Sequence, residues 1–148
     1  MSDPIRTNVP RTLEPVHADD DARTHRWTER LVLFLRIMAA LSLLKGLWHW
    51  AEVTGIVGAA DGGFANRPLS WQAATAFFAV IDLVAAVGLW LAAAWGAVVW
   101  LTAVVSMAAI ELLFPQVYGG RMTVVAIQAV MLFAYLGLAV MAARERPP

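Results

Sequence analysis

The sequence predicts an all-α, polytopic membrane protein: a bundle of four transmembrane helices behind a polar N-terminal tail. Four long apolar stretches carry that prediction: Leu31–Ala51, Trp71–Leu91, Ala97–Phe114 and Met122–Ala143. Each approaches the ~20 residues that cross a ~30 Å hydrocarbon layer at ~1.5 Å rise per residue. Composition agrees. Of 148 residues, 60% are hydrophobic and only 15% charged, whereas a soluble domain is about half apolar. The charges also fall mainly before residue 31 and between the apolar stretches.

The tail Met1–Asp21 holds Pro4, Pro10 and Pro15 among scattered charges, with too little apolar content for a core. It is expected to be disordered and cytoplasmic. Asp19, Asp20 and Asp21 are suited to a helix N-terminus, where exposed amide groups attract anions. Residues 22–143 form one membrane domain. Ala22–Arg30 runs into the first span, with Trp27 at the headgroup level and Arg23, Arg26 and Arg30 toward anionic lipid. The first apolar run starts too late, and is too long, for a signal-peptide core, so it is read as a retained span.

The connection Glu52–Ser70 is broken up by Gly55, Gly58, Gly62, Gly63 and Pro68, with a turn at Asp61-Gly62-Gly63. Trp71–Phe114 is too long for one crossing, and a tight hairpin is expected around Ala92–Gly96 with Gly96 as its turning point. Pro115 ends the third span and Gly119-Gly120 permits a reversal before the fourth. Residues 144–148 form a short cytoplasmic tail.

Orientation follows from positive charge. Arg23, Arg26, Arg30, Arg144 and Arg146 lie near span ends on the side of the termini, against Arg67 and Arg121 on the other. This bias puts both termini in the cytoplasm. Trp27, Trp90, Trp95 and Trp100 are expected at the inner boundary, and Trp48, Trp50, Trp71 and Tyr118 at the outer one.

Ionisable groups within the spans mark where function should be sought. Asp82 lies in the middle of the second span, ~16 Å from its outer end. An ionised Asp there costs about 2.5–3.5 kcal/mol on insertion scales. Thr75, Ala79, Asp82 and Ala86 share a small, polar face suited to close packing, so Asp82 is expected to point inward. It reads either as a proton or cation relay or as a carboxylate that fixes helix packing. Met38, Ser42, Lys45, His49 and Glu52 make a stripe at helical spacing on the first span. Trp100, Val104, Met107 and Glu111 make one on the third, and Val124, Gln128, Met131 and Tyr135 one on the fourth.

Lys45, Glu111 and Gln128 fall at similar depth. They read as a Lys45–Glu111 ion pair braced by Gln128, or as a polar cavity open to the outside with His49 and Glu52 at its mouth. Arg36 lies on roughly the opposite face from Lys45. It is expected to snorkel to headgroups, with an approach to Asp82 as the alternative. Left unpaired, Arg36, Lys45, Asp82 and Glu111 would together cost ~10–14 kcal/mol. At least one internal pair is therefore expected.

Several chemistries lack support. There is no cysteine, which removes disulfides, thiolate metal sites and cysteine nucleophiles. Net charge is zero with no basic cluster, so nucleic acid is not an expected partner. No Ser/His/Asp, His-Glu-x-x-His or phosphate-loop pattern is present. His49 between Trp48 and Trp50 has no second axial ligand at suitable depth, since His17 and His25 lie in the tail. No cofactor and no metal are expected. Ser42/Gly46, Gly88/Ala92 and Ala126/Ala129 are small-residue pairs that allow close helix approach, within the bundle or against a partner.

The layout resembles a family of small bacterial four-span membrane proteins known only as a domain of unknown function. The resemblance rests on Trp48-His49-Trp50-Ala51-Glu52 closing the first span, Gly88-Leu89-Trp90-Leu91 at the hairpin and Phe114-Pro115-Gln116-Val117-Tyr118-Gly119 after the third, and covers about residues 28–143. It implies a bacterial inner-membrane location and supplies no activity or catalytic residue. A looser likeness to DoxX-type four-helix proteins is architectural only.

The leading expectation is a non-catalytic accessory or scaffold subunit that acts through helix contacts, with the bilayer and a membrane-protein partner or a second copy as partners. The alternative is a small oligomeric transporter or proton-coupled protein using Asp82 and the Lys45–Glu111–Gln128 layer. A third class is a membrane-bound enzyme acting on a lipid or quinone with His49, Glu52 and Glu111.

Overall fold

The computed structural model describes residues 26–58 and 62–145. The N-terminal tail, its Asp19–Asp21 cap, Arg23, His17, His25, Asp61 and Arg146 lie outside the described residues. Four long helices dominate: α1 (Arg26–Val53), α2 (Leu69–Trp90), α3 (Ala94–Leu113) and α5 (Met122–Arg144), with a single-turn α4 (Pro115–Tyr118) before the last. A short 3₁₀ turn, Phe64–Asn66, precedes α2. All four long helices are long and apolar enough to cross a membrane. The fold is the all-α four-span bundle that the apolar stretches predict.

The helices form a ring. α2 packs on α1 and α3, and α5 closes the ring by lying against α1 and α3. Each inward stripe is the one helical spacing selects. Thr75, Ala79, Asp82 and Ala86 are all buried on α2, and Trp100, Val104, Met107 and Glu111 on α3. On α1 the buried set includes Met38, Ser42 and His49. Only α5 is loosely held. Ala142 is its sole buried residue, and Ile127, Val130 and Phe133 face outward.

Two ends of the bundle differ in construction. At the hairpin end, α2 and α3 are joined through Leu91–Ala93, where Ala92 takes a left-handed conformation (φ 50°). The Ala93 N–H donates to Gly88 O at 3.0 Å. Gly96 is not the turning point. It is buried within α3 against Gly88, and a Cβ on either would overlap the other's backbone. This close approach explains why the connection is so short.

The start of α1 and the residue after α5 also meet at the hairpin end. Glu145 accepts from the Trp27 and Thr28 N–H groups at 2.9 and 3.1 Å, and from Thr28 Oγ1 at 3.2 Å. A carboxylate on the first free amides of a helix satisfies its orphan donors and its dipole. The contact ties the end of α5 to the start of α1.

The core lies toward this end. Leu35, Met38, Ala39, Ala85, Leu89, Trp100 and Val104 form one buried cluster. Trp100 is only 4% exposed, so it belongs to the core rather than to the inner boundary. Its ring meets Phe34 edge-on at 6.3 Å and Tyr135 at 5.7 Å, joining α1, α3 and α5. The opposite end, where α1–α2 and α3–α5 are connected, is open.

Candidate functional site

The polar stripes of α1, α2 and α3 converge above that core. Lys45 Nζ lies 3.2 Å from Asp82 Oδ2. The contact is one of charge, because Oδ2 has no aligned hydrogen bond. The two partners differ in surroundings: the Asp82 side chain is 2% exposed and that of Lys45 36%. The ammonium also sits 5.2 Å over the Phe78 ring, a favourable cation–π position.

The predicted Lys45–Glu111 pair therefore does not form. Equal depth along parallel spans cannot decide which helix Lys45 faces, and α2 packs on α1 far more closely than α3 does. Glu111 is 2% exposed and its Oε2 accepts the Arg121 backbone N–H at 2.7 Å. It anchors the turn before α5. Arg36 is exposed, with its guanidinium 6.0 Å from the Trp90 ring centroid.

One turn above Lys45, His49 Nδ1 lies 3.2 Å from Glu52 Oε2. The other oxygen, Oε1, accepts Trp48 Nε1 at 3.2 Å. His49 also packs on Phe78, with ring centroids 5.9 Å apart. Phe78 is wholly buried and thus a shared floor for the lysine and the histidine. Tyr118, returned over the bundle by α4, exchanges a hydrogen bond with Thr75 at 3.1 Å. Burial raises the Tyr118 phenol above its ordinary value, the Thr75 contact opposes this, and the carboxylates of Glu52, Asp82 and Glu111 add to the rise. Tyr118 accordingly acts as a neutral hydrogen-bonding group.

These side chains surround a cavity of about 630 Å³ at the open end. Lys45, His49, Glu52, Glu111 and Gln128 line it together with Tyr118 and Arg121. A second, more apolar chamber of about 300 Å³ continues toward the core, with Asp82 and Met38 in its wall. Lys45, Val124 and Gln128 border both. The residues of this layer thus border a cavity, and the Lys45–Glu111 pair is replaced by Lys45–Asp82. All the candidate residues except Arg36 are gathered at its two compartments.

The family whose model matches residues 29–146 is described as a family of unknown function, DUF6163. The chain belongs to this family. The match takes in the four long helices, α1 from Glu29 onward, and the site, in line with the resemblance read from the motifs at the span ends. No curated protein and no solved structure matches the chain.

Family membership brings no residue roles with it, so the chemistry rests on the site. Among the described residues no group of three His, Asp or Glu side chains is placed to hold a metal ion. Sequence reasoning missed the parts that come from connections. Tyr118 was read as a boundary aromatic and Arg121 as an outer charge, yet both line the cavity. The available signal was Pro115 followed by Gly119-Gly120: one helical turn and two left-handed glycines (φ 93° and 62°) fold the segment back over the bundle.

Proposed function

We propose that the protein is a multi-pass protein of the bacterial inner membrane, both termini cytoplasmic, that couples a proton to the movement of a small solute or cation. The observation that carries this reading is the Lys45–Asp82 pair at the junction between a polar cavity and a sealed apolar core. Two opposite charges at that depth stabilise each other. Protonation of Asp82 removes one of them. Lys45 then keeps only its contact with the Phe78 ring, and its flexible stem lets the ammonium rise toward Gln128 and the cavity mouth. Movement of that side chain changes which compartment is polar, the minimum that a proton-dependent step requires.

Proteoliposomes carrying a pH-sensitive dye test this reading. The intact protein is expected to relax an imposed pH gradient faster than empty vesicles. Asp82→Asn, with unchanged helicity, is expected to reduce that excess flux at least tenfold. Equal flux from the two proteins would remove Asp82 from any relay.

A second reading, an accessory subunit acting through helix contacts, draws on α5, whose outward Ile127, Val130 and Phe133 leave a broad apolar face. A mild-detergent pull-down with native mass spectrometry tests it. A stoichiometric membrane-protein partner supports it, and a homo-oligomer or monomer alone counts against it.

A further inference from the structure

Two buried polar atoms at the cavity have no partner: His49 Nε2 and Gln128 Oε1. His49 is 7% exposed. A buried, unpaired polar atom costs about 1–3 kcal/mol, and both residues that carry one belong to the wall of the same cavity, so a small rotation of either side chain toward it would let an occupant relieve that cost. Their chemistry narrows what it is. Glu52 sits against His49 Nδ1, and a carboxylate there holds the ring hydrogen on Nδ1. Nε2 is then a bare acceptor. The Gln128 carbonyl is an acceptor as well, and if its amide is turned round it becomes a donor. A hydroxyl group serves either case, because it donates and accepts.

Charge narrows it further. Three cations, Lys45, Arg67 and Arg121, are balanced by three carboxylates, Glu52, Glu111 and Asp82, across the two compartments. Each carboxylate is already engaged within the protein. The balance favours an uncharged head over an anion or a cation.

The chamber supplies the place for an apolar tail. Its wall includes Met38, Trp100, Val104 and Met131. Leu41 and Ile127 also line it, and both are largely exposed on the outer surface of α1 and α5, at 44% and 56%. The chamber thus borders the bilayer at the seam where α5 is loosely held. A molecule can enter sideways from the lipid with its head passing Gln128.

We propose that the two compartments form one binding site for an uncharged, hydroxyl-bearing amphiphile, with its hydroxyl between His49 and Gln128 and its chain in the Met38–Met131 chamber. The main cavity has the ~300–1,000 Å³ typical of small-molecule sites. Both an acylglycerol and a long-chain hydroquinone have the required chemistry. The inference concerns binding alone and does not depend on proton movement.

The test uses the full chain in phosphatidylcholine nanodiscs, whose lipid has no free hydroxyl, with calorimetry against empty discs. The probes are 1-monooctanoylglycerol and decylhydroquinone, each beside its dimethyl ether. Saturable binding by at least one hydroxylated probe is expected, weakened about tenfold by methylation, the loss of one hydrogen bond. Gln128→Leu is expected to weaken it by a similar factor. This substitution lies on the loosely packed helix, and unchanged helicity would show that the variant folds. Binding by the acylglycerol alone assigns the site to a glycerolipid, and by the hydroquinone alone to a planar ring head; either supports the proposal. Equal binding of hydroxylated and methylated probes, no effect of Gln128→Leu, or no saturable binding at all would overturn it. The orphan atoms would then be satisfied by water.

Discussion

Lys45 and Asp82 each carry a charge into a span, where an unpaired one costs about 2.5–3.5 kcal/mol. Held 3.2 Å apart, they relieve each other of much of that cost. Removing one partner strands the other, which makes the energetics of the pair strongly non-additive. Lys45→Ala is expected to lower thermal stability in detergent, by less than the ~3–5 kcal/mol of a fully enclosed pair, because the Lys45 side chain is 36% exposed. Adding Asp82→Ala is expected to return part of the loss. Adding Glu111→Gln is expected to cost more, since it frees the turn held by the Arg121 N–H. Calorimetric or fluorescence melting of the three proteins checks this. Recovery with Glu111→Gln and none with Asp82→Ala would reverse the pairing. At this scale the sequence was legible for face but not for partner. Helical spacing put Lys45, Glu111 and Asp82 inward. Which of two carboxylates Lys45 meets depends on how tightly neighbouring helices approach. Gly46 decides that, its missing Cβ making room for Leu83 on α2.

Among the elements, α1, α2 and α3 form the closely packed part of the bundle and α5 the loosely packed one. Gly88 and Gly96 bring α2 and α3 into backbone contact, so the hairpin needs no long connection. α5 has no comparable seam and depends on its ends. Its first turn follows the segment pinned by Glu111, and Glu145 at its other end caps α1. Glu145→Gln keeps the shape of the side chain and removes its charge. Loss of a capping interaction is worth ~1 kcal/mol, and this one also loses its match to the helix dipole. The variant is expected to melt slightly lower and to show faster amide exchange at Trp27 and Thr28. Unchanged exchange there would show that the cap does not hold α1. Such a contact joins residues 117 and 118 positions apart. No local pattern announces it, whereas the presence and order of the four long helices were plain from hydropathy.

Across the whole molecule, one end is packed and the other hollow. The apolar core with Trp100 closes the hairpin end, and the cavity reaches down to Lys45 and Asp82 from the other. In the proposed orientation, with both termini cytoplasmic, the hollow end faces the periplasm. The four-span class was readable because each crossing is a long, nearly uninterrupted apolar run. The cavity was readable only as one of two arrangements, because volume depends on how α4 and α5 settle over the polar stripes. The chain has no cysteine, so a single introduced thiol reports its surroundings without interference. The most direct test is labelling of Gln128→Cys in whole cells by a membrane-impermeant thiol reagent, with Ala85→Cys in the sealed core as reference. Labelling of position 128 from the periplasmic side, with position 85 protected, is the predicted result. Labelling of position 128 from the cytoplasmic side alone, or protection of both positions, would contradict a cavity that opens outward onto the Lys45–Asp82 pair.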